Sequence, residues 1–278
     1  MKPITCLVPD SLYAALQQRM IAEKETSDHI VATALSQCLE IPIHTLFQVS
    51  TSAALVEGVY QGAVRVSQLL RHGDFGLGTF AGLDGEMVVL NGVCYQVSAK
   101  GTIVPVDEET LIPYAVVTRF SAAFRQDHQE IPDFGSLVAA CDQLRDSNNV
   151  FYALRVRGTF HTVKTRVMKP VSEGTTLAMA ASVQQEFRFE ELHGTLVGLW
   201  SPAFAASFSV PGYHFHFLSD DRRSGGHVLD CRASEVEIEG CAINEMHVSL
   251  PETKEFLKAD LTRDPQADLM KAERSHES

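Results

Sequence analysis

The sequence predicts an α/β protein of the α+β type, mostly strand, with a small strand–helix–helix segment ahead of it. Three observations carry that reading. From residue 45 to about 262 the chain consists of short apolar runs broken by turn residues, with few stretches at helical spacing. Within it, "EMVVLNGVCYQV" (86–97) sets two β runs around Asn91-Gly92, the strongest short-range hairpin signal. Residues 1–42 read differently, as one strand followed by two helices.

In that first segment "ITCLVP" (4–9) alternates, placing Ile4, Cys6 and Val8 on one face, and stops at Pro9. Asp10 is the expected N-cap of "SLYAALQQRMIAEKE", where Leu12, Leu16 and Met20 recur at helical spacing. "TSD" interrupts, and Ser27 is the expected cap of "SDHIVATALSQCLE". Strand, helix, helix over this length resembles the ribbon-helix-helix unit, which dimerises through its strands and reads DNA with their outward side chains. The outward positions here are Thr5 and Leu7, a poor DNA reader. The resemblance therefore implies a dimerisation module at 1–42 and a homodimer or higher homo-oligomer, while the outward residues argue against DNA as its partner. Pro42 in "IPIHTLFQVS" (41–50) breaks the helix before the remainder begins.

Further along, 50–62 and 65–73 read as short helices, 101–106 as a strand and "PYAVVTRFSAAF" as an extended run. Residues 134–146 read as a helix, and 150–168 as a hairpin turning at Arg157-Gly158-Thr159. "GTLVGLWSPAFAASFSVPGYHFHFLSD", "SEVEIEG" and "EMHVSL" supply more strands before a polar, partly helical tail.

Composition narrows the function classes. The formal net charge is −12, and no basic run exceeds Arg222-Arg223, which argues against nucleic acid as the main partner and against anionic membrane surfaces. No apolar run approaches the roughly eighteen residues of a membrane helix, and "MKPITCLVPDSLYAAL" lacks a signal-peptide core. Six scattered cysteines without a CxxC suit a cytoplasmic protein with reduced thiols. A metal site in such a chain would draw on histidine and carboxylate.

"GYHFHFLSDDRRSGGHVLDC" (212–231) is where one could form. Residues i and i+2 of a strand share a face, about 6.6 Å apart. "YHFHF" therefore aims His214 and His216 one way, and Tyr213, Phe215 and Phe217 the other. "SDDRRSGG" is a turn-rich loop, so "HVLDC" can return as the neighbouring strand and bring His227 beside His216. Three imidazoles on two strands can fill three zinc positions and leave the fourth for a substrate. The bland reading is three polar residues on a wet strand face; spacing supports a metal site of unspecified use.

Four blocks in order, "HGDFGLGTFAGLDGEMVVLNGVCYQV", "NNVFYALRVRGTFHTVKTR", "GTLVGLWSPAFA" and "VPGYHFHFLSDDRRSGGHVLD", resemble the α-acetolactate decarboxylase family. The resemblance runs from about Leu46 to about Glu273 and leaves the N-terminal module outside, so residues 45–278 form the implied catalytic region. It implies a mixed sheet followed by a barrel-like β domain that carries the metal. It implies Zn2+ on His214, His216 and His227, with Thr79, Glu86 in the "LDGE" turn, Arg166, and a tail carboxylate at Glu273 around it. The implied reaction converts (S)-2-acetolactate to (R)-acetoin and carbon dioxide. Zinc would steady the enolate charge as a Lewis acid, Arg166 would grip the carboxylate in bidentate geometry, and Glu86 or Glu273 would protonate the carbon. Two alternatives stand beside it. One is a cupin-like metal enzyme, which also uses a His-x-His strand; the other is a metabolite-sensing DNA-binding regulator.

Overall fold

Alternating strands fold into two large facing sheets and one short two-stranded sheet in the computed structural model, which describes residues 4–39, 44–172 and 174–273 (backbone only for Glu273). The first part of the chain carries α1 (Asp10–Glu23), α2 (Ser27–Leu39), β1 (Thr45–Val49), α3 (Ser52–Val56), β2 (Val64–Arg65), α4 (Val66–Leu70) and β3 (Phe75–Thr79). Next come β4 (Glu86–Leu90), β5 (Val93–Val97), β6 (Ile103–Pro105), β7 (Leu111–Ile112), β8 (Tyr114–Thr118), β9 (Phe124–Ile131) and α5 (Phe134–Leu144). The last part holds β10 (Phe151–Val167), α6 (Leu177–Ala181), β11 (Gln185–Ser201), β12 (Gly212–Ser219), β13 (Gly225–Ile243), β14 (Glu245–Ser249), α7 (Lys254–Lys258) and α8 (Gln266–Glu273).

The first sheet has the order β14-β1-β8-β3-β4-β5-β6 and is mixed, because β1 pairs with β14 in parallel and its other ladders are antiparallel. The hairpin expected at 86–97 forms, with Asn91 and Gly92 both left-handed (φ 53° and 78°) as a two-residue turn requires. The second sheet runs β10-β11-β12-β13-β9, and β13 also pairs with β10, so its ladder returns to the strand where it began. One apolar cluster joins the two sheets, with Leu77, Val88 and Val116 from the first meeting Val197, Leu199 and Leu218 from the second. A second cluster gathers Leu137, Phe160, Phe215 and Phe217.

Three expectations are corrected. No hairpin turns at Arg157-Gly158-Thr159: β10 runs straight through, and the ladder to β13 slips register there. Gly158 serves a close approach, since a Cβ at this position would sit 2.6 Å from Val236 Cγ1. Residues 4–9 form no strand and are exposed, because a strand needs a ladder partner and the single chain offers this segment none. Both N-terminal helices form, but each cap lies one residue earlier than expected. Pro9 precedes α1 without a side-chain cap bond, and Thr26 Oγ1 accepts the His29 amide at 3.1 Å. The junction at 40–43, with Pro42, lies outside the described residues. No helix among the described residues is long and apolar enough to cross a membrane.

Candidate metal centre

The period-two pattern of β12 decides which way its histidines point. Phe215 and Phe217 go to the second cluster and lie across two glycines of β11. A Cβ at Gly198 would come within 2.1 Å of the Phe215 ring, and one at Gly194 within 2.5 Å of the Phe217 ring. With the aromatic face seated there, His214 and His216 must face the first sheet. His216 Nδ1 reaches the Met87 carbonyl on β4 at 2.7 Å. A carbonyl only accepts, so Nδ1 carries the proton and the lone pair sits on Nε2.

The return expected from the sequence occurs: His227 is the direct ladder partner of His216. On the other side of β13, His227 is paired with Arg166. The candidate ligand atoms of the three histidines all lie within 4.8 Å of one another, and the Nε2 atoms of His214 and His216 are 3.1 Å apart. His216 and His227 are buried and His214 is half-buried. Burial, reinforced by the Arg166 charge, lowers the His214 imidazole to about 3; burial likewise holds His216 well below its ordinary range. Both are therefore neutral at physiological pH, the form that ligates a metal.

Glu86 starts β4 directly after Gly85, a turn residue with φ 86°. It is 4% exposed, and a carboxylate at that depth needs partners. Its Oε1 accepts from the Met168 amide at 3.1 Å and from Arg166 Nη1 at 3.4 Å, while Oε2 lies 3.6 Å from His216 Nε2. Glu86 thus stands between the guanidinium and the imidazole cluster. Thr79 is opposite Glu86 in the β3–β4 ladder and donates its hydroxyl to Gly85 O at 2.8 Å, bracing the turn that presents Glu86. A neutral His216 turns a lone pair towards His214 Nε2 and a carboxylate oxygen. Such a buried concentration of nitrogen and oxygen donors suits a small divalent cation, and the residues fit zinc.

The alpha-acetolactate decarboxylase family description matches residues 46–263. The chain belongs to the alpha-acetolactate decarboxylase family. It is 40% identical over 230 residues to the alpha-acetolactate decarboxylase of Methanosarcina mazei, covering 82% of this chain and 80% of that protein. To the Brevibacillus brevis alpha-acetolactate decarboxylase it is 37% identical over 223 residues, covering 80% and 78% respectively. The crystal structure of alpha-acetolactate decarboxylase from Bacillus subtilis strain 168 superposes with a TM-score of 0.81 at 32% identity, covering 83% of this chain and 100% of that one. Family membership sets aside the cupin-like enzyme and the regulator as readings of residues 46–263. Residues 1–45 lie outside the match.

For this alpha-acetolactate decarboxylase family member, the site unites six of the seven residues singled out from the sequence: Thr79, Glu86, Arg166, His214, His216 and His227. Glu273 is the last residue of α8, and its side chain lies outside the described residues. The preceding turn of α8 buries Leu269 and Ala272 in the same cluster as Leu55, Leu177 and Val210, which line the cavity beside the histidines. That apolar wall went unnoticed in the sequence, as did the Met168 amide. Ordinary core leucines and a backbone N–H carry no motif, and the polar residue pattern could not have singled them out.

Proposed function

We propose that the chain decarboxylates α-acetolactate to acetoin and carbon dioxide. The observation that carries this reading is a cluster of three histidines, two of which line one cavity together with Glu86 and Arg166, in a member of this family. In the reaction the bond from the hydroxyl-bearing carbon to the carboxylate breaks, and its electron pair passes into the ketone as an enolate. That carbon then takes up a proton.

Arg166 binds and orients the departing carboxylate, since a planar guanidinium matches it with two parallel hydrogen bonds. His214, His216 and His227 would hold a zinc ion, which when bound supplies Lewis-acid stabilisation of charge developing on oxygen. The His216–Met87 hydrogen bond keeps that imidazole in the ligating tautomer. Glu86, between the guanidinium and the cluster, holds the proton that ends on carbon; Glu273 is the alternative donor. Delivery from one fixed side gives a single enantiomer, the (R) form. Leu55, Leu177 and Val210 exclude water and receive the alkyl groups.

The same reading makes the self-closing second ladder the barrel-like, metal-carrying part of a cytoplasmic enzyme. Residues 1–42 then act as a ribbon-helix-helix-like module that pairs two chains. The test is acetoin and carbon dioxide release from racemic α-acetolactate, with metal analysis of the same sample before and after chelation. Chelator-sensitive acetoin production restored by zinc is expected. Bound metal without acetoin would overturn the proposed reaction, and turnover by metal-free protein would overturn the role of the histidines.

A further inference from the structure

The N-terminal helices dock on the rest of the chain through a polar patch built on histidine. Among the described residues α1 buries no side chain and α2 buries His29 alone. Leu12, Tyr13, Ile21 and Leu39 are each more than half exposed, so little apolar packing fastens the pair. Hydrogen bonds to the loop between β8 and β9 do so instead. Thr26 donates its amide to Ala123 O at 3.0 Å and its hydroxyl to Ala122 O at 2.7 Å. His29 Nδ1 lies 3.3 Å from Ser121 O and, facing a carbonyl, carries the proton. From just before β1, His44 meets the His29 ring edge-on at a centroid distance of 5.0 Å, and its Nε2 is 3.2 Å from Thr33 Oγ1 on α2.

The charges around His29 come from every side of this contact. Glu25, between the helices, lies 3.9 Å from His29 Nε2, and Arg19 of α1 lies 3.9 Å from Glu25. Asp146, ahead of β10, lines the same cavity. Burial works most strongly against a charge on His29; His44 adds to it, while the Ser121 carbonyl and Glu25 oppose it.

We propose that His29, packed edge-on against His44, is an acid-released latch, which holds the N-terminal helix pair on the β8–β9 loop at neutral pH and frees it as the pH falls. A second proton on the docked His29 puts a charge in a buried place against the His44 ring. Undocking hydrates that ring. The docked pair therefore binds fewer protons than the released pair, and docking is lost progressively below about pH 6.5. The released fraction rises up to about tenfold per pH unit as this one histidine titrates. Freed from the loop, two helices of 14 and 13 residues are marginal by themselves and fray.

Amide hydrogen exchange of the full-length protein between pH 7.5 and 5.0, corrected for the intrinsic rate, tests this. Exchange over residues 10–39 is expected to accelerate up to about tenfold between pH 7 and 5.5, with β3 and β4 unchanged. His29→Gln, which keeps a donor for Ser121 and cannot become charged, is expected to lose most of that pH dependence. Flat or slower exchange of residues 10–39 in acid would overturn the latch, since it would mean that Glu25 welcomes the charged His29. Should His29→Gln stay undocked at every pH, Glu25→Gln decides: losing the carboxylate that favours a charge on the docked His29 should steepen the acceleration in acid, and an unchanged dependence overturns the latch.

Discussion

At the scale of single residues the site rests on buried polar side chains held by specific partners. Arg166 is the sharpest case, because its guanidinium is buried and shares a carboxylate with the Met168 amide. Arg166→Lys keeps the charge and loses the planar fork. Turnover is expected to fall roughly 10–100-fold, the worth of a hydrogen bond between charged groups, while metal content stays that of the parent protein. Steady-state kinetics with metal analysis check this, and undiminished turnover would remove Arg166 from its role. The histidines make a second expectation. His214 and His216 are neutral when folded but ordinary imidazoles when unfolded, so the unfolded chain binds more protons below about pH 6.5. Stability of the chelated protein should be full above that pH and decline as the pH falls, by up to ~1.4 kcal/mol per unit for each histidine. Denaturant midpoints at pH 7.5 and 5.5 measure it, and a double His214→Gln, His216→Gln variant should lose that part of the slope.

At the scale of elements, the histidines are aimed by packing on the face of β12 that does not carry them. Phe215 and Phe217 fill the space that Gly198 and Gly194 leave open on β11. Gly198→Ala places a methyl group inside the Phe215 ring position, so the ring or the strand must shift. We expect a loss of about 1–3 kcal/mol in stability and weaker metal retention, read together by thermal melts and competition with a chelator. Normal metal retention in a destabilised variant would show that β12 holds its register without this contact. The period-two alternation of "YHFHF" was legible in the sequence and assigned both faces correctly. Gly158 was not, because a strand glycine and a turn glycine look alike until the neighbouring strand is known. Only the approach of Val236 distinguishes them.

At the scale of the molecule, the site is a property of two sheets meeting. The first supplies Thr79, Glu86 and the Met87 carbonyl; the second supplies Arg166 and the three histidines. Residues 4–39 stand apart from it, outside the family match, with residues 4–9 exposed and the two helices latched to one loop. Their deletion is expected to lower the oligomeric state while sparing metal binding and turnover. Light scattering with metal analysis checks this, and an unchanged mass in solution would refute pairing through this module.

By itself the sequence determined whatever depends on neighbours along the chain. The Asn91-Gly92 hairpin, the shared face of His214 and His216, the return that sets His227 opposite His216, and the blocks that mark the family are all local patterns, governed by backbone sterics and strand periodicity. Tertiary structure decided what depends on neighbours in space. Glu86 and Arg166 stand 80 positions apart and meet because separate sheets bury one common apolar cluster. No local preference encodes that distance, and it is fixed only when close packing of the whole core selects a single arrangement.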